Sequence, residues 1–235
     1  MSQRSGSLLA WADRLAALAS LGDETRRRLF EHVRSSPSAV GRDDAAAALS
    51  LPRSTASFHL DRLVRDGLLA VEFRKLGGRA GPGSGRPAKL YRPALDEVGV
   101  SVPERSYDLA GELMASAIEA SMAGGGSVRK ALADTAYERG RSSAGGGASL
   151  EELLTGVGYR PAPDGEGGLL LMNCPFHRLA DGHADVVCAM NGAFLSGALA
   201  ACGIPEENVE EDRSAGRCCA RIRPSQAGPN AAGGR

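Results

Sequence analysis

The stretch Leu49-Ser50-Leu51-Pro52-Arg53-Ser54-Thr55-Ala56-Ser57-Phe58-His59-Leu60 decides the fold. Ser50-Leu51-Pro52 reads as a tight turn, with Pro52 at a first helical position, where the N–H it lacks has no helical partner anyway. From Arg53 to about Asp66 the apolar residues Ala56, Leu60, Leu63 and Val64 recur at helical spacing, and Gly67 stops the run. The remaining face offers Arg53, Ser54, Thr55, Ser57, His59 and Arg62. All six can hydrogen-bond to bases or phosphates, and the first residues of a helix seated in a major groove are those that meet base edges. Leu51 and Ala56 hold the turn against the preceding helix.

Upstream, Leu8, Trp11, Leu15 and Leu18 have helical spacing, and Gly22 ends that helix. Asp23 caps a second helix with Leu29, Phe30 and Val33 inward and Arg26, Arg27 and Arg28 in its first half. Asp43 to Leu49 reads as a short helix with its acids at the N-terminus, where the helix dipole favours them. Downstream the period changes. Leu68 to Arg74 and Lys89 to Arg92 read as strands around a Gly/Pro/Arg loop that contains Arg79 and Arg86. Helix, helix, turn, helix, hairpin is the order of a winged helix-turn-helix, and the two loop arginines suit backbone or minor-groove contact. The charge agrees: residues 1–95 carry 16 basic and 9 acidic side chains, whereas residues 96–235 carry 12 and 19. A basic segment joined to an acidic one suggests that the first meets a polyanion. Double-stranded operator DNA is the expected partner.

Asp23-Glu24-Thr25-Arg26-Arg27-Arg28-Leu29, Arg53 to Leu60, and Gly85-Arg86-Pro87-Ala88-Lys89-Leu90-Tyr91-Arg92 carry a resemblance. Over about residues 20–95 the chain resembles ArsR-related winged-helix regulators of the SufR group. The resemblance implies bacterial transcription control and a homodimer. Soluble ArsR metal sensors often hold cysteines in the DNA-binding domain; no cysteine stands in residues 1–95 here, so sensing there is not expected.

The rest of the chain predicts an α+β arrangement. Residues 96–127 read as a linker followed by a dimerisation helix, with Leu109, Met114, Ile118 and Met122 nearly on one face. That stripe is too apolar for a solvated helix, so it packs against a second copy or inside its own domain. Residues 128–223 form the expected cysteine-containing sensor domain, and residues 224–235 a disordered tail. Within the sensor domain the pattern predicts helices at about 128–139, 150–154 and 184–201, and strands at 159–161, 169–172 and 217–223.

All five cysteines, Cys174, Cys188, Cys202, Cys218 and Cys219, lie in the last third. An odd count without an export signal argues against a disulfide framework and for a reducing, cytoplasmic setting. The thiols are then small apolar core residues, metal ligands or redox groups. No CxxC pair occurs, which weakens a zinc-ribbon reading and leaves a thiol redox enzyme without its usual motif. Cysteines spaced by 13 or more residues can still converge when a loop, a helix and a strand each supply one, and soft thiolates suit an Fe–S cluster or zinc. Cys174, Cys188 and Cys218 are the expected ligands, with Cys202, His183 or His177 as a fourth. If residues 217–223 are strand, alternation puts Cys218 on the face of Ala220 and Ile222, and Cys219 on the face of Arg221 and Arg223. Cys218 is then the inward member of the pair.

Cys174-Pro175, Cys188 and Cys218 are also similar to the cysteines of SufR-type iron–sulfur repressors. That resemblance implies a 4Fe–4S or 2Fe–2S cluster in the C-terminal domain and control of DNA binding by iron or redox status. Zinc or a small organic effector is the alternative. No catalytic residues are expected, so the chain reads as a regulator rather than an enzyme. No apolar run reaches the roughly 18 residues of a membrane helix, so no membrane partner is expected.

Overall fold

A computed structural model describes residues 10–74, 87–143, 148–212, 214 and 216–224. The chain divides into two units, Met1–Val100 and Ser101–Arg235. The first runs α1 (Trp11–Ser20), α2 (Glu24–Ser35), β1 (Val40–Gly41), α3 (Arg42–Ala48), α4 (Arg53–Arg65), β2 (Leu69–Arg74) and β3 (Ala88–Pro93). Its strands form an antiparallel sheet in the order β1-β3-β2, with Val40 opposite Tyr91 and Val71 opposite Tyr91 from the other side. The two-residue β1 was not anticipated, because so short a strand has no readable period. The core is built from Leu29 and Val33 of α2, Ala45 and Ala46 of α3, Ala56, Leu60 and Leu63 of α4, and Leu68, Leu69 and Tyr91.

Capping sets where these helices begin and end. The Asp23 carboxylate accepts from the Arg26 amide at 2.9 Å and opens α2. After α4, Gly67 takes φ 78°, the Gly67 amide donates to the Val64 carbonyl at 3.1 Å, and Leu68 donates to Leu63 at 3.0 Å. This paired closure also sets Leu68 beside Leu63, both buried. The α3–α4 turn has the same bond pattern: Ser50 donates to Ala47 at 3.2 Å and Leu51 to Ala46 at 2.9 Å. Here the left-handed position is held by Ser50 at φ 53°, a conformation that glycine adopts more cheaply.

The second unit runs α5 (Tyr107–Gly124), α6 (Val128–Ser143), α7 (Leu150–Gly156), β4 (Pro161–Pro163), β5 (Leu169–Leu171), α8 (His177–Ala180), α9 (Ala184–Ala201), a short 3-10 turn (Glu206–Asn208), β6 (Val209–Glu211) and β7 (Ala220–Ile222). Its four strands pair antiparallel in the order β4-β5-β7-β6. Helices α6 and α9 pack so closely that a Cβ on Gly140 would lie 2.0 Å from the Phe194 carbonyl oxygen. Reciprocally, a Cβ on Gly197 would lie 2.0 Å from the Tyr137 carbonyl oxygen. Two glycines thus let two backbones meet at the centre of the unit.

Three expectations change. Helix α5 buries Ala110, Leu113 and Ala117 in this unit's own core, with Leu109 and Met114 packed partly against it, while Ile118 and Met122 stay 49% and 80% exposed. Helix α9, at 18 residues, is long and apolar enough by length and composition to cross a membrane, contrary to the sequence reading. Eight of its residues, among them Met190, Phe194, Leu195 and Leu199, are buried within the unit, as a core helix requires. The last strand is shorter than predicted and starts at Ala220, so Cys218 and Cys219 precede it.

Candidate functional site

In the first unit the candidate site is the outer surface of α4. Ala56, Leu60 and Leu63 anchor its inner face at or below 1% exposure. Arg53, Ser54, Phe58, Arg62 and Arg65 are exposed, and Thr55 and Ser57 are half-buried. The arginines are engaged without being buried: Arg53 pairs with Asp43 of α3 at 2.5 Å, and Arg62 Nε donates to Asp66 at 2.9 Å. Exposed pairs of this kind are weak and readily exchange for phosphate. His59 is placed differently from expectation. Its side chain is 14% exposed and lies 3.9 Å from the Asp23 carboxylate, which withdraws it from the outer face. Arg79 and Arg86 lie outside the described residues.

Asp61 ties α4 to the hairpin. Its carboxylate accepts from Lys89 Nζ at 2.5 Å and from the Tyr91 hydroxyl at 2.8 Å, both on β3. Burial alone would raise the Asp61 pKa, but the Lys89 and Tyr91 hydrogen bonds outweigh it and hold the carboxyl below its usual range. Sequence reasoning missed this clamp because its partners lie 28 and 30 residues away.

Helix α3, its turn and the outward helix α4 are followed by the β2–β3 hairpin. The chain carries a helix-turn-helix domain. Residues 21–72 match HTH_20, a helix-turn-helix domain family. Among solved structures, reduced HlyU from Vibrio cholerae N16961 is similar at 22% identity, over 36% of this chain and 76% of that one, with a TM-score of 0.28. A comparison with curated protein sequences finds no match. The second unit lies outside the helix-turn-helix match, so its chemistry is read from its own residues.

There Cys174 and Cys218 lie in the core, with Cys219 packed against it. Cys174 follows β5 and is 7% exposed; Cys218 is fully buried; Cys188, in the second turn of α9, and Cys219 are half-buried. Backbone bonds place them. The Cys218 amide donates to the Leu171 carbonyl at 2.9 Å, and the Cys219 carbonyl accepts from the Asp212 amide at 2.9 Å. Arg105 Nη1 donates to the Cys174 carbonyl at 3.1 Å.

The thiols influence one another in sequence. The Cys218 thiol holds Cys174 below the usual thiol range. Cys218, donating toward Cys174, is pushed up to about 12. Cys219 is raised further, first by Cys218 and then by burial. Cys188 is pushed up to about 12 by burial and by Cys219. Cys174, Cys218, Cys219 and Cys188 thus form a chain of neighbouring thiols, each acting on the next. Cys202 stands apart, its thiol raised by burial alone.

Cys219 was expected to face away, yet it belongs to this group. Strand alternation does not govern a residue that precedes the strand. Asn191, one turn beyond Cys188 on α9, bridges the pair: its Nδ2 donates to Cys218 Sγ at 3.3 Å and Cys219 Sγ at 3.7 Å. The buried Tyr159 hydroxyl donates to Asn191 Oδ1 and orients that amide. A lone Asn within an apolar helix was the available signal, and it was not read. His177 and His183 are exposed. Among the described residues, no group of three or more His, Cys, Asp and Glu side chains stands where it could hold a metal ion.

Proposed function

We propose that this protein is a DNA-binding transcription regulator whose C-terminal unit holds an Fe–S cluster on Cys174, Cys188, Cys218 and Cys219. The observation that carries the DNA reading is the outer face of α4, with Arg53, Ser54, Arg62 and Arg65 exposed on a helix that Asp61 fastens to the hairpin. A second copy covers the exposed Ile118 and Met122 on α5, giving a homodimer that presents two such helices to half-sites about one DNA turn apart. A reducing cytoplasm is the setting in which free thiols persist.

The donor set suits the cluster. Its ligands are all sulfur, largely removed from solvent, and carry a fixed N–H donor in Asn191. Hydrogen bonds to sulfur stabilise the charge that accumulates there and tune its potential. A single Zn²⁺ needs four donors at about 2.0–2.3 Å from one point. A cluster spreads its ligands around several metal atoms and tolerates thiols that do not converge on one. When bound, it supplies a redox- and oxygen-sensitive centre; the residues themselves hold it, orient it through Asn191, and exclude water through Leu171, Phe176 and Val187. A small organic effector is the second reading, favoured by the absence of a convergent ligand group among the described residues; a structural zinc would require the thiols to draw together on one point.

One preparation tests both halves. The full chain purified without oxygen is expected to be brown, with iron and acid-labile sulfide in comparable amounts. Serine at Cys174, Cys188, Cys218 or Cys219 is expected to bleach it, while Cys202→Ser leaves it coloured. Operator affinity should fall steeply with salt as phosphate contacts release counterions. A colourless protein that binds zinc tightly and lacks sulfide overturns the cluster; no salt-dependent binding to any duplex overturns the DNA reading.

A further inference from the structure

The outer face of α4 has one apolar member. Phe58 is 64% exposed, and its described ring contact is an edge approach to its neighbour His59 at 5.2 Å. It stands two residues from Ala56 and two from Leu60, both fully buried. At about 100° per residue, that places it directly opposite the buried seam. It is the sixth residue of α4, with Ser54 one turn before it and Arg62 one turn after. Every other exposed side chain on this stretch can hydrogen-bond; Phe58 cannot.

A single exposed apolar side chain needs no explanation on an ordinary surface. On a helix that enters a major groove it is constrained. Base edges there present donors and acceptors, each of which loses water if a phenyl ring covers it. The one apolar group on those edges is the C5-methyl of thymine. A ring projecting from the centre of the groove-facing surface is best accommodated against such a methyl.

We infer that Phe58 is a specificity residue that reads the C5-methyl of a thymine in each half-site of the target duplex. This deepens the DNA-binding reading and rests on it. It makes Phe58 a discriminator and leaves general affinity to Arg53, Arg62 and Arg65, whose charge serves every sequence alike.

The test uses the full chain and a duplex enriched by it from a random pool. Each thymine of that duplex is replaced in turn by deoxyuridine, which removes the methyl and nothing else. Wild type is expected to lose about three- to tenfold in affinity at one thymine per half-site and little elsewhere. Phe58→Ala is expected to bind the thymine and deoxyuridine duplexes equally, and Phe58→Leu to retain part of the preference. Circular dichroism on each variant checks that the fold persists. The inference is overturned if wild type ignores the methyl at every position, or if Phe58→Ala keeps the wild-type preference. Failure to enrich any duplex instead overturns the DNA-binding reading itself, and this inference with it.

Discussion

The two units of this chain store their chemistry in opposite places. In the first, the candidate DNA-contacting groups stand outside: Ala56, Leu60 and Leu63 belong to the core, and Arg53, Ser54, Phe58, Arg62 and Arg65 are left in solvent on one helix. In the second the thiols are inside: Cys174 and Cys218 are core residues in one cluster with Leu171, Phe176 and Val187, and Cys218 is tied through Asn191 to Tyr159. An outward face tolerates exchange of one side chain without loss of the fold. An inward site cannot be altered without disturbing the packing that forms it. A surface suited to a large polyanion and a buried cluster of soft ligands follow from that difference.

The comparison is put under most stress at the α6–α9 contact. Gly140→Ala or Gly197→Ala forces a methyl into a facing carbonyl and should destabilise the second unit by about 3 kcal/mol. The first unit has its own core, so its thermal transition should not move. Calorimetry of the full chain is expected to show one transition lowered and one unchanged. Joint movement of both would show that the units do not unfold independently.

Next in size is the exposed end of α5. Ile118→Asp places a charge on a face that is 49% exposed in the single chain, so the folded subunit should lose little. If two copies bury that face, the substitution should weaken association by about 2 kcal/mol or more. Sedimentation at micromolar concentration should then show monomers where wild type shows dimers. Equal behaviour of the two proteins would leave α5 as a component of its own core alone.

A smaller effect is expected at the Asp61 clamp. Its folded pKa is depressed, so its contribution is present above the unfolded carboxyl value and lost as pH falls through the folded one. Asp61→Asn should cost about 0.5–1 kcal/mol at neutral pH, the screened value for a part-exposed pair. The difference from wild type should vanish in strongly acidic solution. Thermal melts at neutral and acidic pH measure both ends. A difference that persists in acid would mean that shape rather than charge holds the hairpin to α4.

The smallest change tests local backbone. Ser50 holds a left-handed conformation at φ 53°, so Ser50→Gly removes a steric cost and should raise stability by about 0.5 kcal/mol. DNA affinity should stay the same, since Ser50 precedes α4 and the turn's two closing hydrogen bonds are backbone-only. Urea unfolding of the first unit's signal resolves this.

What the sequence determined by itself was set by short-range physics. Period, capping and punctuation between Asp23 and Arg92 decided the helices, the turn and the hairpin, because each depends on neighbours within a few residues. The uneven charge and the grouping of all five cysteines in the last third were likewise open to reading. Tertiary structure alone decided the rest. It turned His59 toward Asp23, joined Asp61 to Lys89 and Tyr91 across 28 and 30 residues, and left Phe58 outermost. It started the last strand only after Cys219, so that this thiol joined Cys218 under the Asn191 amide, while Cys202 stayed apart. Side-chain alternation and helical period are local rules; which thiols meet depends on how β5, α9 and the segment before β7 are brought together, and a pattern along the chain carries no record of that distance.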